Sequence, residues 1–247
     1  VWEMSRTICI LLTGALLTGC ASVPSDEGVA HDPWESLNRK TYRFNEVVDK
    51  ATLKPLAKGY RKVFPEPVRN SVTNFFRNLG TPRSAINNFL QGKPAYGVQE
   101  LARFVVNSTF GIGGLFDVAT YGGIDAHTED FGQTAAVWGV PGGPFVIIPI
   151  LGPASLRGAI LYPLNIQTTP LYHYDNSSVR DRLYGLRAIE IRARLLPLED
   201  MVKDSNDPYV TVRESFLQNR EFQIYDGNPP QSEDDELFDE FLEEEDY

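Results

Sequence analysis

The chain has 247 residues, a formal net charge of −10 and only two cysteines, Cys9 and Cys20. The charge is uneven, because residues 233–246 carry ten acidic side chains and no basic one. Residues 20–232 hold 22 basic and 22 acidic groups, so the body of the chain is neutral. A neutral body lacks the basic surface that marks nucleic-acid binding, so nucleic acid is not an expected partner. The acidic end predicts a disordered tail over 227–247.

The N-terminal 19 residues are predicted to be a secretory signal peptide. An apolar segment over 8–17 follows Arg6, and it is too short to span a membrane as a helix. The sequence Leu-Thr-Gly-Cys at 17–20 then fits the cleavage site of a bacterial lipoprotein. Glu3 departs from the usual basic start of such signals, so we expect translation to begin at Met4.

Cys20 is the expected lipid anchor, because its sulfur would receive a diacylglyceryl group after cleavage. Two or more acyl chains hold a protein stably on a bilayer. Ala21 follows the cysteine in place of Asp, which by the bacterial sorting convention predicts the outer membrane. Residues 20–31 would form a polar tether between the anchor and the folded body.

Residues 32–226 predict an all-α, single-domain body of many short amphipathic helices. Apolar residues recur at steps of three and four, Pro and Gly bracket each run, and β-branched alternation is scarce. Asp32 and Pro33 are the expected N-cap and first residue of the first helix. The longest helix is expected at 179–203; its arginines suit lipid phosphates or pairs within the helix. The predicted helices cover about 34–50, 55–61, 65–80, 82–92, 95–108, 115–120, 128–138, 155–161, 179–203 and 208–222.

An apolar stretch at 140–153 is the most distinctive feature of the body. Its seven consecutive apolar residues, 145–151, are far fewer than the roughly 20 of a membrane-spanning helix. Pro149 removes one backbone donor in its middle, which favours a bent, hairpin-like apolar loop. A buried core strand or turn fits these residues equally well. The candidate lipid-path residues are Gly142, Gly143, Pro144, Phe145, Val146, Ile147, Ile148, Pro149, Ile150, Leu151, Gly152 and Pro153.

No catalytic constellation is found in the sequence. His31, His127 and His173 are scattered and lack the spacing of metal ligands. Ser155 lies near two glycines but reads as a helix N-cap. The glycine-rich segment at 111–123 has no lysine in the position that a phosphate loop requires. We therefore expect no enzymatic activity, no catalytic or metal-binding residue and no cofactor.

Several separated motifs occur together in a fixed order, and with them the chain resembles the MlaA (VacJ) lipoproteins over about 32–204. The motifs are Asp-Pro-Trp-Glu at 32–35, Asn-Arg at 38–39, Phe-Asn at 44–45, Asn-Phe-Phe at 74–76, Asn-Phe-Leu-Gln-Gly at 88–92, and the segments at 103–111 and 143–157.

The resemblance implies an outer-membrane lipoprotein that removes mislocalised phospholipid from the outer leaflet and so maintains lipid asymmetry. The lipid would pass through an amphipathic channel to a periplasmic lipid-binding carrier protein. A ring of helices would lie in the periplasmic-side leaflet, with a trimeric porin as partner and no nucleotide or metal. Phe44 and Asn45 would lie close to the hairpin as candidate channel-gating residues. The alternatives are a structural adaptor that binds porins without moving lipid, and a lipid hydrolase.

Overall fold

The computed structural model describes residues 32–230, which form a helical body with one two-stranded hairpin. The predicted signal peptide, the Cys20 anchor, the tether and residues 231–247 of the acidic tail lie outside these residues. No helix between residues 32 and 230 is both long and apolar enough to span a membrane. The elements are α1 (Glu35–Ala51), α2 (Leu53–Val63), α3 (Glu66–Leu90), α4 (Pro94–Thr109), α5 (Val118–Tyr121), α6 (Phe131–Val137), β1 (Phe145–Ile148), β2 (Gly152–Ser155), α7 (Leu156–Gln167), a 3₁₀ turn (Pro170–His173), α8 (Ser177–Leu195), a second 3₁₀ turn (Leu196–Leu198), α9 (Glu199–Lys203) and α10 (Pro208–Ile224).

The contacts between these elements close into a circuit. Helix α1 contacts α2, α2 packs along α8, and α8 contacts α3. Helix α3 then contacts α6, α6 packs on α7, and α7 meets the hairpin, which returns to α1. Helix α4 pairs with α3 along its length, and α10 contacts both α6 and β2. The predicted all-α ring is therefore confirmed, with the hairpin as its one β element among the described residues.

Several helices begin at caps that the sequence signals correctly. The side chain of Asp130 accepts a hydrogen bond from the amide of Gln133 at the start of α6. Ser155 accepts one from Gly158 at the start of α7, so its predicted role as an N-cap is confirmed. Asp207 caps α10 in the same way. Each cap satisfies an amide that would otherwise lack a partner at the helix end.

The interior of the body is more polar than the apolar periodicity of its helices predicts. Only a few large apolar side chains are buried, whereas asparagine, threonine, glutamate and arginine side chains are buried on many elements. Apolar side chains instead point outward along most helices. Monomeric soluble proteins rarely expose contiguous apolar surface on this scale. The buried polar side chains are Asn38, Asn78, Thr81, Ser84, Asn87, Asn88, Glu100, Arg103, Asn107, Glu129, Gln133, Thr134, Ser155, Thr169, Glu190 and Arg213.

Helix α4 shows this reversal most clearly. Its apolar stripe, Val98, Leu101 and Val105, is 59%, 45% and 58% exposed. The opposite face buries Glu100, Arg103 and Asn107. Arg103 donates two hydrogen bonds of 2.9 Å to the carboxylate of Asp117. Asn107 donates to the same carboxylate at 2.9 Å and accepts from the amide of Ala119, also at 2.9 Å.

The expected break between residues 80 and 82 is wrong, since α3 runs unbroken from Glu66 to Leu90 with Pro82 inside it. A proline in a helix removes one hydrogen bond and crowds the preceding turn. Side chains on both sides of it bind other parts of the body. Asn78 donates to the hydroxyl of Ser108 at 2.9 Å, and Asn88 donates to the carbonyl of His127 at 2.9 Å. Tertiary bonds therefore override the local signal.

Two further expectations need correction. Helix α8 ends at Leu195, so α3 with 25 residues is the longest helix rather than the segment at 179–203. Pro197 lies in the 3₁₀ turn that follows, because it cannot continue the hydrogen-bond pattern of the helix. Asp32 is not the N-cap of α1, which is Trp34. The carboxylate of Asp32 is used instead in tertiary contacts.

The polar interior predicts that Asn107→Leu destabilises the body although leucine is similar in size to asparagine. The change leaves the buried amide of Ala119 without its acceptor, and we expect a loss of about 1–3 kcal/mol in the free energy of unfolding. Val105→Ser on the exposed face of the same helix is the matched control, with an expected change of about 0.5 kcal/mol or less. Urea unfolding in a mild detergent measures both. A larger loss for Val105→Ser would contradict the assignment of inner and outer faces.

Candidate functional site at the hairpin and the first helix

The predicted bent hairpin is present as two antiparallel strands. Phe145 pairs with Ser155 and Ile148 with Gly152, so residues 149–151 form the turn. Ile150 has a φ of 68° and Gly152 a φ of 98°. Positive φ is easy for glycine but strained for a β-branched residue such as Ile150. The tip of the hairpin is therefore held in a strained conformation by its surroundings.

The hairpin has a buried face and an exposed tip. Phe145 and Ile147 are buried against Tyr209 of α10, and the rings of Phe145 and Tyr209 lie 6.3 Å apart in an edge-to-face arrangement. Ile150 and Leu151 at the tip are 65% and 56% exposed. The two alternatives open from the sequence therefore describe different parts of one hairpin. Its strand face belongs to the core, and its tip presents apolar side chains to the outside.

Two asparagines of α1 bind the backbone of β1 and of the turn that follows it. Asn38 donates to the carbonyl of Phe145 at 2.9 Å and accepts from the amide of Ile147 at 2.9 Å. Asn45 donates to the carbonyl of Ile148 at 3.0 Å and accepts from the amide of Ile150 at 2.7 Å. We call this pair the asparagine clamp.

The spacing of the clamp follows from element geometry. Seven residues advance a helix by about 10.5 Å and place both asparagines on one face. Asn38 therefore reaches strand β1, and Asn45 reaches its last residue and the turn that follows, where Ile150 lies. The clamp thus satisfies backbone groups that the edge strand and its turn would otherwise leave unpaired. It also holds the strained amide of Ile150.

Asp32 and Tyr209 hold Asn38 of the clamp in place through hydrogen bonds. Asp32 accepts hydrogen bonds from the side chain of Asn38 at 3.0 Å and from the amide of Trp34 at 3.1 Å. The hydroxyl of Tyr209 donates to the same carboxylate. Burial, followed by the bond to Asp32, raises the pKa of Tyr209 above its usual value, so the hydroxyl remains a donor. The Asp-Pro-Trp segment at 32–34 therefore positions the hairpin rather than capping a helix.

A cleft of about 560 Å³ opens beside the hairpin. The volume lies within the usual range of small-molecule pockets. One wall is apolar and comes from the hairpin, and the others carry charged side chains from α1, α8, α9 and α10. The lining residues are Arg39, Tyr42, Arg43, Asn45, Glu46, Asp49, Lys50, Ile147, Gly152, Pro153, Arg192, Leu195, Glu199, Val202, Lys203, Asp207, Pro208, Tyr209 and Val212.

Much of the charge in the cleft is internally compensated. Arg192 donates two hydrogen bonds of 2.8 Å to the carboxylate of Asp49 and one of 3.1 Å to Glu199. Burial raises the pKa of Glu199, but its bonds from Lys203, Lys54 and Arg192 outweigh that effect and lower it to about 2. Glu199 is therefore ionised at any physiological pH. These pairs join α1, α8 and α9 into one wall.

The structure separates the two residues proposed for gating. Asn45 lines the cleft and binds the hairpin, whereas Phe44 is 51% exposed and is not among the described residues that line the cleft. The sequence reasoning missed Asn38, which makes the other half of the clamp. The seven-residue spacing of two asparagines within an apolar helix face is the signal that identifies it. Whether either residue gates a channel stays a prediction.

The residues between 32 and 230 include no group of three or more His, Cys, Asp or Glu side chains placed to hold a metal ion. Ser155 acts as a cap, and His127 stacks on Tyr96 with ring centroids 3.7 Å apart. The side chains that draw attention in the sequence are therefore engaged in structural contacts.

An outward apolar surface, a polar interior and a clamped hairpin beside an amphipathic cleft define a class of helical protein suited to contact with lipid. Residues 30–223 match the family described as MlaA lipoprotein. The chain belongs to the MlaA lipoprotein family, so the resemblance seen in its motifs is confirmed.

The relatives of the chain agree with this membership. The intermembrane phospholipid transport system lipoprotein MlaA of Shigella flexneri is 36% identical over 228 residues, covering 88% of each chain. The protein of the same name from Haemophilus influenzae is 32% identical over 240 residues, covering 93% of this chain and 95% of its own. A solved structure described as "Structural basis for maintenance of bacterial outer membrane lipid asymmetry" is 34% identical, with a TM-score of 0.70 over 78% of this chain and 99% of its own.

The asparagine clamp predicts that Asn45→Ala loosens the tip of the hairpin. The change removes the acceptor of the Ile150 amide, so that amide should exchange its hydrogen about tenfold or more faster. Phe44→Ala is the matched control, since its side chain is half exposed and next to the clamp, and it should leave that exchange unchanged. Hydrogen-exchange mass spectrometry of peptides covering 145–152 measures both. Equal protection in the two variants would contradict the clamp.

Proposed function

We propose that the chain is an outer-membrane lipoprotein that removes mislocalised phospholipid from the outer leaflet and so maintains lipid asymmetry. The lipid passes along an amphipathic path in the helical body to a periplasmic lipid-binding carrier. The protein acts by binding and guiding lipid rather than by a chemical reaction, and Cys20 anchors it. The observation that carries the proposal is the reversed packing of the body. The proposal is also supported by the names of the relatives, which describe phospholipid transport.

The reversed packing suits a body embedded in the periplasmic-side leaflet. Apolar side chains that point outward along α1, α3 and α4 would meet acyl chains there. The polar interior would let a headgroup move without crossing bare hydrocarbon, a crossing that costs many kcal/mol for a charged group. Acyl chains could remain in the bilayer while the headgroup follows the protein.

The hairpin is the part of the path most suited to control lipid entry. Its tip exposes Ile150 and Leu151, its conformation is strained, and four side-chain bonds hold it to α1. We propose that the hairpin at 142–153 shapes the path and that Asn45, with Phe44 beside it, gates it. The conformational freedom of Gly143 and Gly152 at positive φ supplies the hinges.

Partners follow from the direction of transport. Lipid taken from the outer leaflet must cross to the periplasmic side, so the body needs a protein that spans the membrane. We propose a trimeric porin for this role and a soluble periplasmic lipid-binding protein as acceptor.

Reconstitution tests the function. The full lipidated protein is placed with a trimeric porin in liposomes containing fluorescent phospholipid, and transfer to a purified periplasmic lipid-binding protein is measured. Transfer that depends on this chain supports the proposal. Binding to the porin with no transfer would show a structural adaptor instead. Release of lysophospholipid or fatty acid, detected by mass spectrometry, would show a hydrolase.

A glycine substitution tests the hairpin in the same assay. Gly143 has a φ of 68°, and a Cβ there would lie 3.0 Å from the Cβ of Leu156, so Gly143→Ala strains the base of the hairpin. A left-handed alanine costs about 1–2 kcal/mol, and we expect transfer to fall about fivefold to tenfold.

Gly59→Ala is the matched control for this substitution. Gly59 lies in α2 with open space around it, so the change should leave transfer unaffected. Equal transfer by Gly143→Ala and the wild type would remove the hairpin from the lipid path.

A further inference from the structure

The arginines of the helical body do not all have carboxylate partners. On α8, Arg192 binds Asp49 and Glu199, and Arg194 binds Glu190 at 2.6 Å. Arg187 of the same helix has no carboxylate within 4.0 Å among residues 32–230; its guanidinium carbon lies 5.9 Å from the centre of the Phe76 ring. Of the five arginines that the sequence left open between lipid contact and pairing, Arg180, Arg192 and Arg194 are paired. Arg182 and Arg187 have no carboxylate within 4.0 Å among the described residues, and Arg182 is exposed.

Arg83 of α3 and Arg157 of α7 share this property. Neither has a carboxylate within 4.0 Å in the described part of the chain, and the Nε atom of each is buried without a hydrogen-bond partner. The Nη1 atom of Arg157 donates a hydrogen bond to the carbonyl of Val140. Arginines with unpaired buried nitrogen atoms are costly, because desolvation of a charge is not repaid without an anion.

Two of these arginines, Arg83 and Arg157, lie beside one acidic group, Asp130. That carboxylate is already engaged by Arg220, which donates to it at 2.8 Å and 2.7 Å. Gly132 makes room for this pair, since a Cβ there would lie 2.5 Å from Nη2 of Arg220. Ser84, next to Arg83, exchanges hydrogen bonds with the backbone of Glu129, and a Cβ built at Gly132 would lie 3.5 Å from Gly158, next to Arg157. Arg187 packs on Phe76, two helical turns before Arg83 on α3. In this part of the described chain the arginines therefore outnumber the carboxylate.

The electrostatics agree with an uncompensated positive site. Burial lowers the pKa of Arg83, Asp130 opposes that effect, and the nearby charges of Arg187 and Arg220 lower it further. Burial and the charge of Arg220 likewise lower the pKa of Arg157. A bound anion would relieve both effects.

We propose that Arg83, Arg157 and Arg187 form a phosphate-binding station inside the helical body, which receives the phosphodiester of a phospholipid headgroup. Planar guanidinium groups match phosphate oxygens better than any other side chain does. The hydroxyl of Tyr184, buried without a partner on the same helix as Arg187, supplies a further donor. The station rests on the proposed lipid transport, and it places a headgroup on the side of the ring formed by α3, α7 and α8.

Calorimetric titration of the full protein in detergent tests the station. The probes are short-chain dihexanoyl phosphatidylglycerol, the matched dihexanoylglycerol that lacks phosphate, and inorganic phosphate. We expect the phospholipid to bind best, and Arg83→Gln to weaken it about tenfold or more. Arg187→Gln should weaken it similarly, while Arg83→Lys, which keeps the charge without the planar fork, should weaken it less than Arg83→Gln does. Arg182→Gln, an exposed arginine of the same helix, is the control and should change nothing.

Stability separates this role from a structural one. Removing a desolvated charge that has no partner should leave the urea midpoint of Arg83→Gln unchanged or higher. Unchanged phospholipid affinity in both Arg83→Gln and Arg187→Gln would overturn the station. Equal affinity for dihexanoylglycerol or for inorganic phosphate would overturn the phospholipid assignment. Failure of the wild type to transfer lipid, with binding intact, would refute the transport proposal alone.

Discussion

A polar group taken out of water must meet a partner, because leaving a buried donor or acceptor unpaired costs about 1–3 kcal/mol. In this protein that requirement joins elements that are distant in sequence. Asn38 binds the hairpin more than 100 residues away, Asn107 binds the start of α5, and Asn88 binds the segment before α6. Each bond forms only when both elements are in place. Closure of the ring and the position of the hairpin therefore depend on the same hydrogen-bonded interior.

A hydrogen-bonded interior leaves apolar side chains free to point outward. In water this arrangement would be unfavourable, whereas against acyl chains it costs little, since hydrocarbon is as apolar as leucine. The same arrangement explains how a hairpin can be both ordered and adaptable. The clamp holds its backbone through polar bonds, while its tip at Ile150 and Leu151 exposes apolar surface.

Helix periodicity and caps predict most elements of this fold, as Ser155 and Asp207 show, because those signals are local. The failures occur where a distant partner decides the outcome. Pro82 reads as a helix start, yet bonds from its flanking residues carry α3 through it. Asp32 reads as a cap but serves the hairpin. The sequence predicts the hairpin and the position of Asn45 close to it. It does not reveal which face of each helix points to the interior. An apolar stripe has the same period whether it meets a core or a bilayer.

Spin labels placed by cysteine scanning along α4 in liposomes test that assignment of faces most directly. The reversed packing predicts that collision with oxygen, which concentrates in hydrocarbon, peaks at Val98, Leu101 and Val105. Labels at Glu100 and Asn107 should show the minima. A periodicity of opposite phase, or preferential collision of the three outward positions with a water-soluble nickel reagent, would contradict a lipid-facing surface.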